Sequence, residues 1–311
     1  MQQIEIATTA LPRITEREFV RFQNLIYREA GIFLTPAKQS LLVGRLAKRL
    51  RAFNLTAFED YYRIVEANEA ERTQMLNCIC TNETHFFREK QHFDFLENRV
   101  LPLWKGLARD SRRLRSIRVW SAGCSTGEEP YSLAMYLLGH FPGEDWKIEI
   151  LASDISTQVL AKAKTATWPI KRAAEIPEHF LKKYMLRGIG ENVELMKAGP
   201  ELRSLVSFHQ INLNADGYAM RGTFDLILCC NVLIYFNAES RKNVLCRLAR
   251  YLAPGGYLML GHAESLNGIA DILCPVAPTI YTSPLNATPT DGSHAQTGLA
   301  RKSFEDKERE S

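Results

Sequence analysis

The chain has 311 residues, 46% of them hydrophobic and 24% charged, with a formal net charge of +4. That length suggests one large or two modest globular domains, and the mild charge does not demand a nucleic-acid partner. No run of eighteen apolar residues occurs, and the opening MQQIEIATTALPR has neither a basic start nor an apolar h-region, so no membrane span or signal peptide is expected and the protein is expected in the cytoplasm. Seven scattered Cys show neither a disulfide framework nor metal-ligand spacing, which predicts buried apolar thiols and no metal.

The chain divides at about residue 90, giving expected units of 11–90, 91–285 and a tail, 286–311. In the first unit Thr15 with Glu18, Thr56 with Glu59, and Asn68 with Glu71 each place a capping oxygen three residues before a Glu, and Thr35-Pro36 places a cap before a first-turn proline. Phe19, Phe22 and Ile26 follow one of these starts at helical spacing and Gly31 offers a stop, which predicts a small all-helical domain. Within PAKQSLLVGRLAKRLRAF, Leu42, Leu46 and Leu50 share one helical arc, and Lys38, Arg45, Lys48 and Arg49 fall on a neighbouring arc without an acidic residue. Such a stripe is either a solvated face or a docking surface.

After residue 115 strands and helices alternate: SIRVWSAG, helix EEPYSLAMYLL, WKIEILASD, helix STQVLAKAKT capped by Ser156, LVSFHQINL, FDLILCCNV, helix AESRKNVLCRLARYL and GGYLMLGHA. This pattern predicts an α/β fold with a mostly parallel, doubly wound sheet. Residues 168–204 are too long for a simple connection and read as an inserted subdomain, with GENVELMKAG as a hairpin. The tail has almost no large apolar residues and is expected to be disordered.

The first strand ends in a G-x-S-x-G turn, with Gly123, Ser125 and Gly127, where small residues let a ligand approach the backbone and a helix N-terminus. The same spacing spells a nucleophile elbow with Ser125 as nucleophile, although an elbow normally lies after several strands and a fitting Asp and His would have to follow. A dinucleotide site lacks its G-x-G-x-x-G, and Glu128 and Glu129 would repel a pyrophosphate, so the acidic turn favours a cationic, phosphate-free nucleoside. Asp154 ends the second strand, where a doubly wound fold places a ribose-binding carboxylate, although a helix-capping role competes. Asn231 ends the fourth strand, and Pro254-Gly255-Gly256 leads into the fifth. Together these features resemble the S-adenosylmethionine-dependent methyltransferase fold.

TNETHFFRE (81–89), VWSAGCSTGEEPYSLAM, ASDIS, NVLIYF and GHAES, in this order, resemble the CheR-type chemoreceptor glutamate O-methyltransferases. The resemblance implies a Rossmann-like methyltransferase domain, a helical N-terminal domain and a small inserted β subdomain. It implies S-adenosylmethionine as methyl donor, with Asn82, Thr84 and Arg88 folding over it, Gly123 in the turn beneath, Glu129 and Asp154 holding its amino and ribose ends, and Asn212, Leu213, Cys230 and Asn231 lining the adenine and neighbouring atoms. Tyr235 would steer the incoming carboxylate, and an arginine is implied near it, for which ENRVLPLWKG offers Arg99. His85 and Cys124 read as tolerated variations, and Phe86-Phe87 as packing. The implied substrate is the acidic cytoplasmic helical bundle of a chemoreceptor, onto which Lys38, Arg45, Lys48 and Arg49 would dock a monomeric enzyme, with no direct membrane insertion. RGIGENVEL in the insert has the length of the form that tethers to a receptor tail but lacks a Pro after its second Gly. A methyltransferase for a small molecule or another protein, a nucleic-acid module using the stripe, and a catalytically silent cofactor sensor are the alternatives.

Overall fold

The computed structural model describes residues 13–143, 145–264 and 272–283. The expected disordered tail, 286–311, and residues 11 and 12 lie outside the described residues.

The N-terminal half is helical. Helix α1 (Glu16–Ala30) opens with a complete capping box between Thr15 and Glu18 and ends at Gly31, whose φ of 70° satisfies a left-handed stop. A 3-10 turn beginning at Pro36 leads into α2 (Gln39–Ala52). Helix α3 (Phe58–Ala67) departs from expectation, because Thr56 lies outside it and does not cap it. The Glu59 N–H donates instead to Glu18, 2.9 Å away, and the Glu59 carboxylate pairs with Arg21, so a tertiary partner displaces the local cap. Asn68 caps α4 (Glu69–Ile79) as its spacing predicts. Phe22, Leu42, Leu46, Leu50, Phe58 and Tyr61 close a core of their own between these helices.

Helix α5 (Lys90–Phe95) passes through a π turn at Leu96–Val100 into α6 (Leu101–Arg109). The α/β half follows, with β1 (Ser116–Ala122), α7 (Glu128–His140), β2 (Lys147–Asp154) and α8 (Thr157–Thr165). The insert carries β3 (Thr167–Pro169), α9 (Glu178–Tyr184), β4 (Met185–Arg187) and β5 (Leu195–Ala198). Helix α10 (Pro200–Leu205), β6 (Val206–Gln210), β7 (Phe224–Cys229), α11 (Ala238–Arg250), β8 (Leu252–Leu260), β9 (Cys274–Ala277) and β10 (Ile280–Thr282) complete the chain. The seven-stranded sheet runs β6-β2-β1-β7-β8-β10-β9. Its first five strands are parallel, and β10 is antiparallel to both neighbours. The antiparallel pair β9 and β10 is absent from the sequence reading, which stops at GGYLMLGHA; both strands are short and lack strong alternation. Apolar side chains cover both faces of the sheet, Val119, Leu133 and Leu226 on one and Trp120, Ile227 and Leu258 on the other.

The insert folds as a three-stranded antiparallel sheet in the order β3-β5-β4. Its hairpin arms are Met185–Arg187 and Leu195–Ala198, so the first arm lies N-terminal to the GENVELMKAG reading. Phe86 and Phe87, assigned by sequence to the helical half, pack instead with the α/β core: Phe86 meets Trp168 edge-on at 5.0 Å and Phe87 stacks on Phe180 at 5.5 Å. The helical core therefore ends before these two rings.

Candidate active site

A cavity of about 280 Å³ opens where β1 has β2 on one side and β7 on the other, at their carboxyl ends. This is the reversal of strand order at which open α/β sheets bind ligands. The floor comes from the turns after β1, β2 and β7; one wall comes from α2 and the segment before it; the strap Thr81–Arg88 forms the roof.

The β1 turn is shaped by two glycines at φ of 87° and 97°, Gly123 and Gly127. A Cβ at Gly123 would stand 2.3 Å from Cγ2 of Val232, so no other residue fits there. Ser125 donates its hydroxyl to the Asn82 carbonyl at 3.0 Å, tying the turn to the strap. No histidine lines the cavity among the described residues, so Ser125 has no imidazole base beside it and the elbow reading fails.

The adjacent glutamates divide. Glu128, 2% exposed, turns away from the cavity, where Thr126 donates to it at 2.6 Å and Arg172 pairs with it at 3.3 Å. Glu129 lines the cavity and accepts the Ser121 hydroxyl at 2.7 Å. Burial pushes its carboxyl up to about 7, against the opposing hydrogen bonds of Ser121 and Cys230 and the charge of Arg88. The acidic turn thus presents one carboxylate to a ligand.

Asp154 lines the cavity from the end of β2. Its carboxylate accepts the N–H groups of Ser125 and Ser156, each at 2.9 Å, which lock it in place without exhausting its lone pairs. Burial raises its pKa, and the backbone N–H groups of Ser156, Ser125 and Ile155 oppose that shift. The competition with Ser156 for the cap of α8 resolves cleanly: Ser156 caps Val159, leaving Asp154 free to face the ligand space.

The turn after β7 is held from beneath by Glu264, 4% exposed. Its carboxylate accepts the N–H groups of Asn231 at 2.9 Å, Gly261 at 2.8 Å and Ile234 at 3.1 Å. Asn231 thereby adopts a φ of 60°, and its buried Oδ1 has no partner. GHAES is quoted in the sequence reading without a role for this Glu; its signal is a carboxylate just beyond an apolar strand end.

Asn82, Thr84, Arg88, Gly123, Glu129, Asp154, Asn212, Leu213, Cys230, Asn231 and Tyr235 all line the cavity, as do Lys38 and Arg45. Several are already engaged. Asn212 donates to the Glu29 carbonyl at 2.6 Å and accepts the Asn214 N–H at 2.9 Å, so its amide serves the loop. Arg45 donates to the Ile79 carbonyl and to Thr81 Oγ1 at 2.7 Å, anchoring the start of the strap. Arg49 lies away from the cavity in a bidentate pair with buried Glu71, which also accepts the Tyr61 hydroxyl at 2.7 Å. The basic arc is therefore not a stripe of free cations: Arg45 and Arg49 are internal ties, and Lys48 is the exposed one.

Arg99 does not reach the cavity. In its π turn Leu96 and Val100 face the core, and Arg99 points to solvent. The arginine on the cavity wall at the end of the strap is Arg88, whose Nη1 donates to the Glu83 carbonyl at 3.1 Å. His85 is exposed and outside the lining, and Cys124 is buried beside Ala152 and Leu160.

Sequence reasoning misses the insert's part in the roof. Arg172 donates to the Thr84 carbonyl at 2.7 Å, and Glu175 accepts the Phe86 N–H at 3.0 Å.

The donor set fits a cationic nucleoside such as S-adenosylmethionine. Among the described residues neither Glu129 nor Asp154 has an ion-pair partner, Asn231 offers an unsatisfied acceptor, and the Gly123 turn leaves room for close approach. No group of His, Cys, Asp or Glu among the described residues could hold a metal ion, and no described helix is long and apolar enough to cross a membrane.

Comparison with known proteins agrees with this geometry. A family profile described as CheR methyltransferase, SAM binding domain, matches residues 82–281, and one described as CheR methyltransferase, all-alpha domain, matches residues 17–80. The chain is 36% identical to chemotaxis protein methyltransferase 2 of Pseudomonas aeruginosa, over 86% of this chain and 93% of that one. It is 38% identical to the chemotaxis protein methyltransferase of Escherichia coli, over 88% and 95%, and 34% identical to that of Borreliella burgdorferi, over 82% and 90%.

Proposed function

The chain belongs to the CheR methyltransferase family, and from that premise we propose that its cavity transfers the methyl group of S-adenosylmethionine to glutamate side chains of chemoreceptors. The products are glutamate methyl esters and S-adenosylhomocysteine, and the role is adaptation in chemosensory signalling. The observation that carries this reading is a cavity with, among the described residues, two carboxylates without an ion-pair partner on its floor, one arginine on its roof and no histidine in its lining.

When bound, S-adenosylmethionine supplies an electrophilic methyl carbon on a sulfonium. Glu129 and Asp154 face its amino and ribose ends, and Asn231 Oδ1 offers a further acceptor. A substrate glutamate, with a reference pKa of ~4.3, is ionised at neutral pH and needs no general base. What it needs is orientation and exclusion of water. Arg88 pairs with the incoming carboxylate through its planar fork, the role first given to Arg99. Tyr235, on the turn that Glu264 fixes, directs the second oxygen through its hydroxyl. The strap covers the site and keeps water from it.

The enzyme acts in the cytoplasm, as a monomer, on the helical bundle of the receptor. Its cavity mouth carries Leu41 and Ile234, 40% and 45% exposed, next to Lys38, a rim suited to an amphipathic acidic helix. The test uses labelled S-adenosylmethionine and membranes containing chemoreceptors. Label should migrate with the receptor and leave as volatile methanol on brief alkaline treatment. Base-stable label would sink the glutamate assignment, because transfer to an amine or amide nitrogen gives a bond that survives mild alkali.

A further inference from the structure

The roof of the cavity is held from a direction that the catalytic reading does not require. Arg172 and Glu175 belong to the 3-10 turn Ile170–Glu175 of the insert. Nη2 of Arg172 donates to the Thr84 carbonyl at 2.7 Å and lies 3.3 Å from Oε1 of buried Glu128, while its Nε lies 2.8 Å from Oε1 of Glu175. The other Glu175 oxygen accepts the Phe86 N–H at 3.0 Å, and the Phe86 ring meets Trp168 of β3. Two peptide groups of the strap, the carbonyl at 84 and the N–H at 86, thus end on the insert. One guanidinium joins them to the first turn of α7, where the next residue is Glu129.

We propose that Arg172, with Glu175, is a positioning residue for the methyl-donor site: it fixes the strap that carries Asn82, Thr84 and Arg88 at a set distance from the Glu129 turn. This rests on the cavity being the methyl-donor site. Nη2 donates to the Thr84 carbonyl, and the Glu128 and Glu175 carboxylates flank the same planar guanidinium as ion partners, a fixed fork that the flexible point charge of a lysine would not reproduce. The ties from the other elements hold different points of the strap: Arg45 at Thr81, Ser125 at the Asn82 carbonyl, and Ser132 at the Phe87 N–H, 2.9 Å away. Among the described residues, Arg172 is the side chain that holds the Thr84 carbonyl itself.

The test combines hydrogen exchange at the Phe86 and Phe87 amides of the ligand-free protein with calorimetric binding of S-adenosylhomocysteine and receptor methylation kinetics. Arg172→Met alone would leave Glu128 buried and unpaired, so it is combined with Glu128→Gln, which removes both charges. This double variant should exchange the strap amides faster and bind S-adenosylhomocysteine about tenfold or more weakly. Its KM for receptor at saturating methyl donor should stay unchanged. Glu175→Ala should show the same split, and Glu175→Gln, whose amide oxygen still accepts the Phe86 N–H, should restore both readouts. Should the double variant fail to fold, the Glu175 pair carries the test. Wild-type strap exchange in the variants, or faster exchange with unaltered affinity, overturns the proposal. Wild-type protein that does not bind S-adenosylhomocysteine would sink the reading of the cavity, and this role with it.

Discussion

The floor and the roof of the cavity are built on opposite principles. On the floor, Asp154 and Glu264 each accept backbone N–H groups from their own half of the molecule, so the carboxyl ends of β2, β7 and β8 are braced by groups the sheet already fixes. The strap above has no regular hydrogen-bonded structure. It is suspended from Arg45 of α2, Ser125 of the β1 turn, Ser132 of α7 and the pair Arg172 and Glu175 of the insert. A ligand meets a preformed surface below and, above, a cover whose position is the sum of single side-chain ties. The floor therefore supplies the fixed contacts for the ligand, and the roof adds to affinity only as far as its ties hold it in place, while it also governs orientation and access.

Breaking the floor should have the largest effect. Asp154→Ala is expected to weaken S-adenosylhomocysteine binding by roughly 1.5–3 kcal/mol, the range for hydrogen bonds to a charged group. Calorimetry on the folded variant reads it directly, and an unchanged dissociation constant would reduce Asp154 to a brace for the Ser125 turn.

On the roof, Arg88→Ala should lower kcat by about tenfold or more and leave S-adenosylhomocysteine affinity within about threefold, since an interaction made with the reacting carboxylate appears in the turnover step. Arg99→Ala, at an exposed position, should leave kcat as in wild type. The reverse outcome for this pair would restore the sequence reading.

The acidic turn sharpens the comparison through pH. With the Glu129 carboxyl pushed up to about 7 in the unliganded protein, the ionised form that suits a cationic ligand gains population as pH rises through that value. Affinity for S-adenosylmethionine should therefore increase by up to about tenfold between pH 6 and 8 and be lost as pH falls. The sign for folding is opposite. A carboxyl whose folded pKa is raised binds more protons folded than unfolded, so unliganded stability declines as pH rises from the ordinary carboxyl value of about 4.5 to about 7 and levels off above it. Glu129→Gln should flatten the binding profile.

Docking should give the smallest change. Lys48→Glu is expected to slow receptor methylation by about two- to threefold at low salt, with the difference vanishing at high salt, because an exposed charge steers association and is screened over about 8 Å. Arg49→Glu is a different experiment: it places a carboxylate against buried Glu71 and Tyr61, so its loss of activity should come with a lowered melting temperature.

The sequence by itself determined those features whose cause lies within a few residues: the Thr15 and Asn68 caps, the Gly31 stop, the Gly123 turn at a strand end, Asp154 at the next strand end and the doubly wound sheet. Each is set by local sterics, by hydrogen bonds within one turn, or by the period of apolar residues. Even these yield when a distant group competes, as Glu18 does for the Glu59 N–H that Thr56 was expected to take. Only the tertiary structure decided which of two adjacent glutamates faces the ligand. Helical geometry turns Glu128 and Glu129 apart, but Arg172, forty-four positions away, makes the buried place of Glu128 tolerable. It also decided that Arg88 and not Arg99 stands at the cavity, and that two of the four basic residues on α2 are internal ties. An arginine reads the same in sequence whether it ends in solvent, on a carbonyl or against a buried carboxylate. The partner that distinguishes these fates lies 22 to 88 residues away, where local pattern carries no trace of it.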